Sequence, residues 1–174
     1  MLLKGILFSS ITILLVGCNQ KQDNPKVIPN WSKEESIKMN HAFAAEELEE
    51  IEQFLSHRPD WKMTKTGSGL QYFIYLKTDS ASTPVPGRQV AVNFTVSLLN
   101  GHICYSSKRG EPEFFTVEKS DIESGLHEGI KLMHKGEKAK FILPNHLAHG
   151  LIGDLNEIPP LQTIVYDIEL IDIK

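Results

Sequence analysis

The chain has 174 residues, of which 41% are hydrophobic, and a formal net charge of −4. That balance, with no basic stripe anywhere along the sequence, speaks against a nucleic-acid partner.

Lys4 is the only charge in the first twenty residues, and Ile6 to Val16 is apolar apart from Ser9, Ser10 and Thr12. A short positive start followed by an apolar run is the layout of a secretory signal. The run is shorter than the roughly 20 residues a bilayer span needs. It ends in Leu15-Val16-Gly17-Cys18, which resembles the bacterial lipobox. That resemblance implies removal of residues 1–17 and attachment of lipid to Cys18. The alternatives are an ordinary signal peptide with a chance cysteine, or an uncleaved anchor. Each buried lipid CH₂ contributes about 0.8 kcal/mol, so several acyl chains hold firmly where one does not. Cleavage removes Lys4 and no acid, which takes the net charge from −4 to about −5. With Cys18 lipidated, Cys104 has no partner in the chain, which rules out a disulfide framework. A lone thiol of this kind is ordinarily a small buried apolar residue.

Residues 18–31 are polar, contain Pro25 and Pro29, and read as a tether. From Cys18 to Ser32 it reaches at most about 45–50 Å, at roughly 3.3–3.6 Å per residue. Residues 32–60 read as an amphipathic helix. Ser32-Lys33-Glu34-Glu35 has the form of a capping box. Ile37, Phe43, Ala44, Leu48, Ile51, Phe54 and Leu55 mark an apolar face, with Glu46, Glu47, Glu49, Glu50 and Glu52 mostly opposite. Such a helix either docks on its own domain or pairs with a partner, for example in a homodimer.

Residues 66–174 read as one domain. Leu70 to Leu76 alternates, and Val90 to Leu98 alternates more clearly, so both are expected strands. Asn100-Gly101 is a hairpin signal. Short strands are expected near Ile103–Ser106 and Phe114–Thr116. Ser120-Asp121-Ile122-Glu123 has the form of a second capping box, opening a helix with Ile122, Leu126, Ile130 and Met133 on one face and Gly136 as its C-terminal cap. Lys138–Leu143 and Thr163–Ile173 are the last two expected strands. The loop between them, from His146 to Gln162, is long enough to be functional. The whole is α+β: one antiparallel sheet packed on one short helix, preceded by the amphipathic helix.

No glycine-rich phosphate loop and no Gly-x-Ser-x-Gly turn is present. His146 and His149 are the only closely spaced histidines; they are a zinc pair or, as no third ligand is evident, two solvent-facing loop residues. Any enzymatic chemistry here needs no nucleophile, no metal and no cofactor.

Several blocks of the last hundred or so residues, in order and spacing, resemble the FKBP family of peptidyl-prolyl isomerases. They are Gly67 to Tyr72, Val90 to Thr95, Asn100-Gly101, Ser106-Ser107, Gly125 to Ile130, Gly136-Glu137, Ala148-His149-Gly150, Ile158-Pro159-Pro160 and Val165 to Leu170. With the lipobox and acidic helix, the chain is more narrowly similar to the gliding-motility-associated isomerase lipoproteins of the Bacteroidetes. The reaction the family implies is rotation about an X-Pro bond, whose barrier is roughly 18–20 kcal/mol because the amide loses resonance. An apolar, aromatic-lined pocket that excludes water favours the twisted, less polar amide.

By resemblance, Phe94 stands for a pocket tyrosine and Ile122 for an apolar wall. Glu123 falls where a backbone N–H holds ligand. Leu126 replaces the tryptophan floor, and Ile158 and Tyr166 supply the upper wall and an aromatic. Three positions depart: Tyr105 replaces an aspartate, Cys104 a phenylalanine, and His149 the tyrosine whose hydroxyl bonds substrate backbone. Glu113 also falls near a phenylalanine position. The expected function is a membrane-anchored isomerase acting on X-Pro segments of envelope or surface proteins. The alternative is a non-catalytic chaperone or assembly component on the same fold. Asn19 after the cysteine, in place of the retention aspartate, points to the outer membrane, facing the periplasm.

Overall fold

The computed structural model describes residues 32–174, so the expected signal, the lipidated Cys18 and the tether lie outside the described residues. Helix α1 (Lys33–Ser56) is followed by strands β1 (Thr64–Lys65), β2 (Gln71–Leu76), β3 (Gln89–Leu98), β4 (Ile103–Ser106) and β5 (Glu113–Thr116). Helix α2 (Ser124–Ile130), strand β6 (Lys138–Leu143) and strand β7 (Ile164–Ile173) complete it. The seven strands form one antiparallel sheet ordered β1-β2-β6-β7-β3-β4, with β5 also on β3. This is the α+β architecture expected from the sequence.

The long strands β3 and β7 run side by side from Val90↔Ile173 to Leu98↔Ile164. β4 pairs with β3 at Thr95–Ser97 and β5 pairs with it at Gln89–Val92. They are two halves of one edge strand, broken by residues 107–112. The hairpin at Asn100-Gly101 forms as its sequence requires: Gly101 takes φ +89, a conformation costly for any residue with a Cβ.

Alternation sorts the side chains of the sheet. On the inner face Leu70, Val92, Val96, Ala139, Phe141, Leu143, Ile164, Tyr166 and Ile168 pack with Leu126, Ile130 and Met133 into the main core. On the outer face Ile142 and Val165 pack with Ile51 and Phe54 of α1. Further along the same outer face the pairs become charged: Lys140 with Asp167, and Lys138 with Glu169 at 3.2 Å. α1 therefore covers only as much of the sheet as is apolar.

Helix α2 lies unusually close to β6, and two glycines allow it. A Cβ on Gly125 would fall 2.6 Å from Leu143, and one on Gly129 would fall 2.7 Å from the Phe141 ring. This is the reason for the Gly125-Leu126-His127-Glu128-Gly129 spacing.

Four expectations need correction. The second capping box does not form: α2 starts at Ser124, with Glu123 as N-cap and no side-chain cap bond. Ser120 is occupied elsewhere, its Oγ accepting from the Thr116 N–H at 2.9 Å, and Ile122 precedes the helix. Gly136 does not cap α2; at φ +88 it turns the chain into β6 and donates to the Leu170 carbonyl at 2.7 Å. The apolar face of α1 is buried only toward its C-terminal end. Ile51 and Phe54 are buried, whereas Ile37 is 47% and Leu48 40% exposed. The first capping box is present, Ser32 and Glu35 exchanging bonds of 2.9 and 3.1 Å. Finally, the expected acidic outer side of α1 omits Glu47, which turns inward and accepts two hydrogen bonds from the domain.

Candidate active site

The loop from Asn145 to Thr163 crosses over the open end of the main core. Beneath it, Leu126 of α2, Ile158 of the loop and Tyr166 of β7 are buried in one cluster, with Phe94, Cys104, Tyr105 and Ile122 partly buried against it. The Phe94 and Tyr166 rings lie 5.8 Å apart, tilted by 55°. Register explains the meeting: Phe94 faces Ile168 and Val96 faces Tyr166 across β3 and β7, so the two rings are diagonal neighbours on one face.

The three innermost side chains are nearly closed off. Leu126 is 4%, Ile158 2% and Tyr166 4% exposed. Glu123 has a part in this. Its Oε1 accepts the Tyr166 hydroxyl at 3.0 Å and lies 3.0 Å from His149 Nε2. One carboxylate thus joins the start of α2, the loop and β7 above the cluster. Burial first, and the Glu123 charge second, hold the Tyr166 hydroxyl well above the ordinary phenol range, so it is a hydrogen-bond donor at any physiological pH. As N-cap, Glu123 also has its backbone N–H ahead of the intrahelical ladder.

Beside this bridge lies an open cleft of about 630 Å³ lined by Asp121, Ile122, Glu123, Ser124, Ala148, His149 and Asp154. Its size is that of an ordinary small-ligand site. Asp154 holds the far wall. Its Oδ1 accepts the N–H groups of Asn156 at 2.9 Å and Ile158 at 2.8 Å. Its Oδ2 accepts the Tyr105 hydroxyl, which in turn accepts from Asn156 Nδ2 at 3.0 Å. Burial raises the Asp154 pKa, but the Tyr105 hydroxyl and the two N–H groups outweigh it and leave it below the usual carboxylate range. The same hydroxyl-to-carboxylate bond raises the Tyr105 pKa. A carboxylate is therefore present at the rim although position 105 is not an aspartate; it comes from the loop.

The structure brings together Phe94, Tyr105, Ile122, Glu123, Leu126, His149, Ile158 and Tyr166. Glu113 is exposed on β5, opposite Val92. Cys104 packs against the core with its Sγ 3.7 Å from the Glu157 carbonyl. Burial, then Glu157 and Asp154, push its pKa up, the reverse of what a reactive thiolate needs. His146 and His149 do not face each other: His146 Nε2 lies 2.9 Å from the Ser68 carbonyl, and His149 bonds Glu123. Neither is a free loop residue, and no three candidate ligands for a metal converge among the described residues.

Sequence reasoning missed Asp154 and Asn156, and it gave Glu123 only a backbone role. Gly153-Asp154-Leu155-Asn156 carries a readable signal, since aspartate and asparagine in turns bond the chain two residues on.

Comparison with known proteins agrees with this fold. The family model for FKBP-type peptidyl-prolyl cis-trans isomerase matches residues 80–171, and the chain belongs to that family. It is 38% identical over 113 residues to the FKBP-type peptidyl-prolyl cis-trans isomerase FkpA of Buchnera aphidicola subsp. Schizaphis graminum, covering 64% of this chain and 44% of that protein. It is 36% identical over 115 residues to FkpA of Escherichia coli K12, covering 65% of this chain and 41% of the relative. It is 32% identical over 107 residues to the peptidyl-prolyl cis-trans isomerase Fkbp12 of Drosophila melanogaster, covering 61% of this chain and 99% of the relative. The chain thus spans less than half the length of the two FkpA proteins, and nearly all of the Drosophila one.

Proposed function

We propose that this protein is a prolyl cis-trans isomerase acting on X-Pro segments of envelope or surface proteins, tethered to a membrane by lipid on Cys18. The observation that carries the reading is the convergence of Phe94, Ile122, Leu126, Ile158 and Tyr166 in one apolar cluster beside an open cleft. The proline ring enters by displacing the Glu123 bridge and lies among these side chains, where exclusion of water favours the twisted amide. The Glu123 N–H holds the carbonyl before proline, and the His149 imidazole, released from Glu123, bonds substrate backbone. Uncatalysed isomerisation takes tens of seconds or more, so a folding role for such an enzyme is physically useful.

The lipobox and Asn19 support a lipoprotein of the outer membrane facing the periplasm. With the acidic helix they support the narrower reading of a gliding-motility-associated isomerase lipoprotein of the Bacteroidetes. The exposed Ile37 and Leu48 of α1 support a homodimer through that helix. A second reading, a non-catalytic FKBP-fold chaperone or assembly component, is favoured by the near-complete burial of Leu126, Ile158 and Tyr166. A protease-coupled assay on X-Pro tetrapeptides separates the two. Isomerase activity gives a rate that rises in proportion to protein concentration. A rate equal to the uncatalysed one leaves the binding module. Cell fractionation with protease shaving tests the tether and its face.

A further inference from the structure

We infer that Glu47 of the N-terminal helix is a positioning residue for the proline site, so that α1 and the loop over the site form one mechanical unit. Its Oε1 accepts the backbone N–H of Asn145 at 2.6 Å and the hydroxyl of Thr163 at 2.6 Å. These two residues are the opposite ends of the loop that carries His149, Asp154 and Ile158. They lie just beyond the last β6–β7 pair, Leu143↔Ile164, so a helix side chain extends the closure of the loop past the point where the sheet stops.

Asn145 is also the root of the loop's own bonding. Its carbonyl accepts from Ala148 at 3.1 Å and Gly150 at 2.8 Å, and the Gly150 carbonyl accepts from Leu161 at 2.9 Å. His149, which bonds Glu123, lies between those two donors in sequence. A shift at Asn145 therefore reaches the mouth of the site within one turn of chain. Glu47 sits one helical turn before Ile51, which is 2% exposed, so the contact belongs to the docked half of α1. An apolar side chain at position 47 would dock the helix without the cost of desolvating a carboxylate. The acid is accounted for by the two loop donors, whose bonds to a charged acceptor are of the strong kind.

The inference rests on the proposed X-Pro site, and its test separates the two. In the full chain, Glu47→Ala raises KM for an X-Pro peptide about tenfold with kcat within about twofold, the effect of losing a hydrogen bond to a charged group. Glu47→Gln, which keeps a carbonyl acceptor, restores KM. Thr163→Val removes one donor, gives a smaller rise, and reads the same clamp if Glu47→Ala does not fold. Trp61→Ala, which removes the ring packed 5.7 Å from Phe54 in the same helix interface, lowers stability and leaves KM unchanged. Hydrogen exchange at the amides of Asn145, Gly150, Ile158 and Leu161 accelerates in Glu47→Ala and not in Trp61→Ala. An unchanged KM with unchanged exchange in folded Glu47→Ala overturns the inference. If the unaltered chain proves inactive, the site reading fails, and the exchange rates alone decide the role of Glu47.

Discussion

The bond between Glu123 and Tyr166 can be weighed directly. The Tyr166 side chain is buried and the Glu123 side chain only 11% exposed, so solvent screens their 3.0 Å bond little. A hydrogen bond to a charged group contributes about 1.5–3 kcal/mol net. Tyr166→Phe removes the donor and leaves Glu123 its contact with His149. Glu123→Ala removes both contacts and strands the buried hydroxyl, so it costs more than Tyr166→Phe. The double-mutant cycle isolates the pair and is expected to return about 1.5–3 kcal/mol of coupling. The assay is urea unfolding of residues 32–174, where slopes of about 1–3 kcal/mol/M make the change a midpoint shift of about 1 M. A coupling within about 0.5 kcal/mol of zero, the range of independent sites, refutes the bridge. The same bridge closes the pocket, so Glu123→Ala is also expected to lower KM for an X-Pro peptide while destabilising the fold.

Leu126→Ala empties a buried site between α2 and the loop; it should cost about 2–5 kcal/mol in urea unfolding and lower kcat/KM of the folded fraction. Gly129→Ala drives a Cβ into the Phe141 ring and should cost about 1–3 kcal/mol, read as a lowered thermal midpoint. Asp154 has a folded pKa below its unfolded value of about 3.9, so its stabilisation is complete above that value and is lost as pH falls through the folded one. Hydrogen exchange at the Ile158 amide should therefore accelerate below about pH 4, and Asp154→Asn should remove most of that acid dependence.

The strands were legible because β2, β3, β6 and β7 have two distinct faces, and a period of two survives in the sequence wherever that holds. The start of α2 was not legible, because Ser120 and Glu123 fit a capping box locally while other partners claim both: Ser120 closes the turn after β5 through Thr116, and Glu123 reaches across the fold to Tyr166 and His149. The half-docked state of α1 was hidden for a similar reason. Its apolar residues recur at helical spacing throughout, and nothing local marks where the apolar part of the sheet ends. The apolar residues of the site were identified by family resemblance rather than by periodicity. Its polar network was out of reach, since Tyr105 and Asp154 are 49 residues apart and Glu47 and Thr163 are 116 apart.

Under the proposed function, an X-Pro segment enters the cluster beneath the loop and isomerises there. Exchange NMR on a peptide with one X-Pro bond, mixed with residues 32–174, reads cis and trans populations at equilibrium while protein signals report where the peptide sits. Cis–trans exchange is expected to quicken from the uncatalysed range of tens to hundreds of seconds to about a second or less, with shifts at Phe94, Ile122, Glu123, Leu126 and Tyr166. Shifts confined to another surface, or exchange no faster than that of the free peptide, would contradict it.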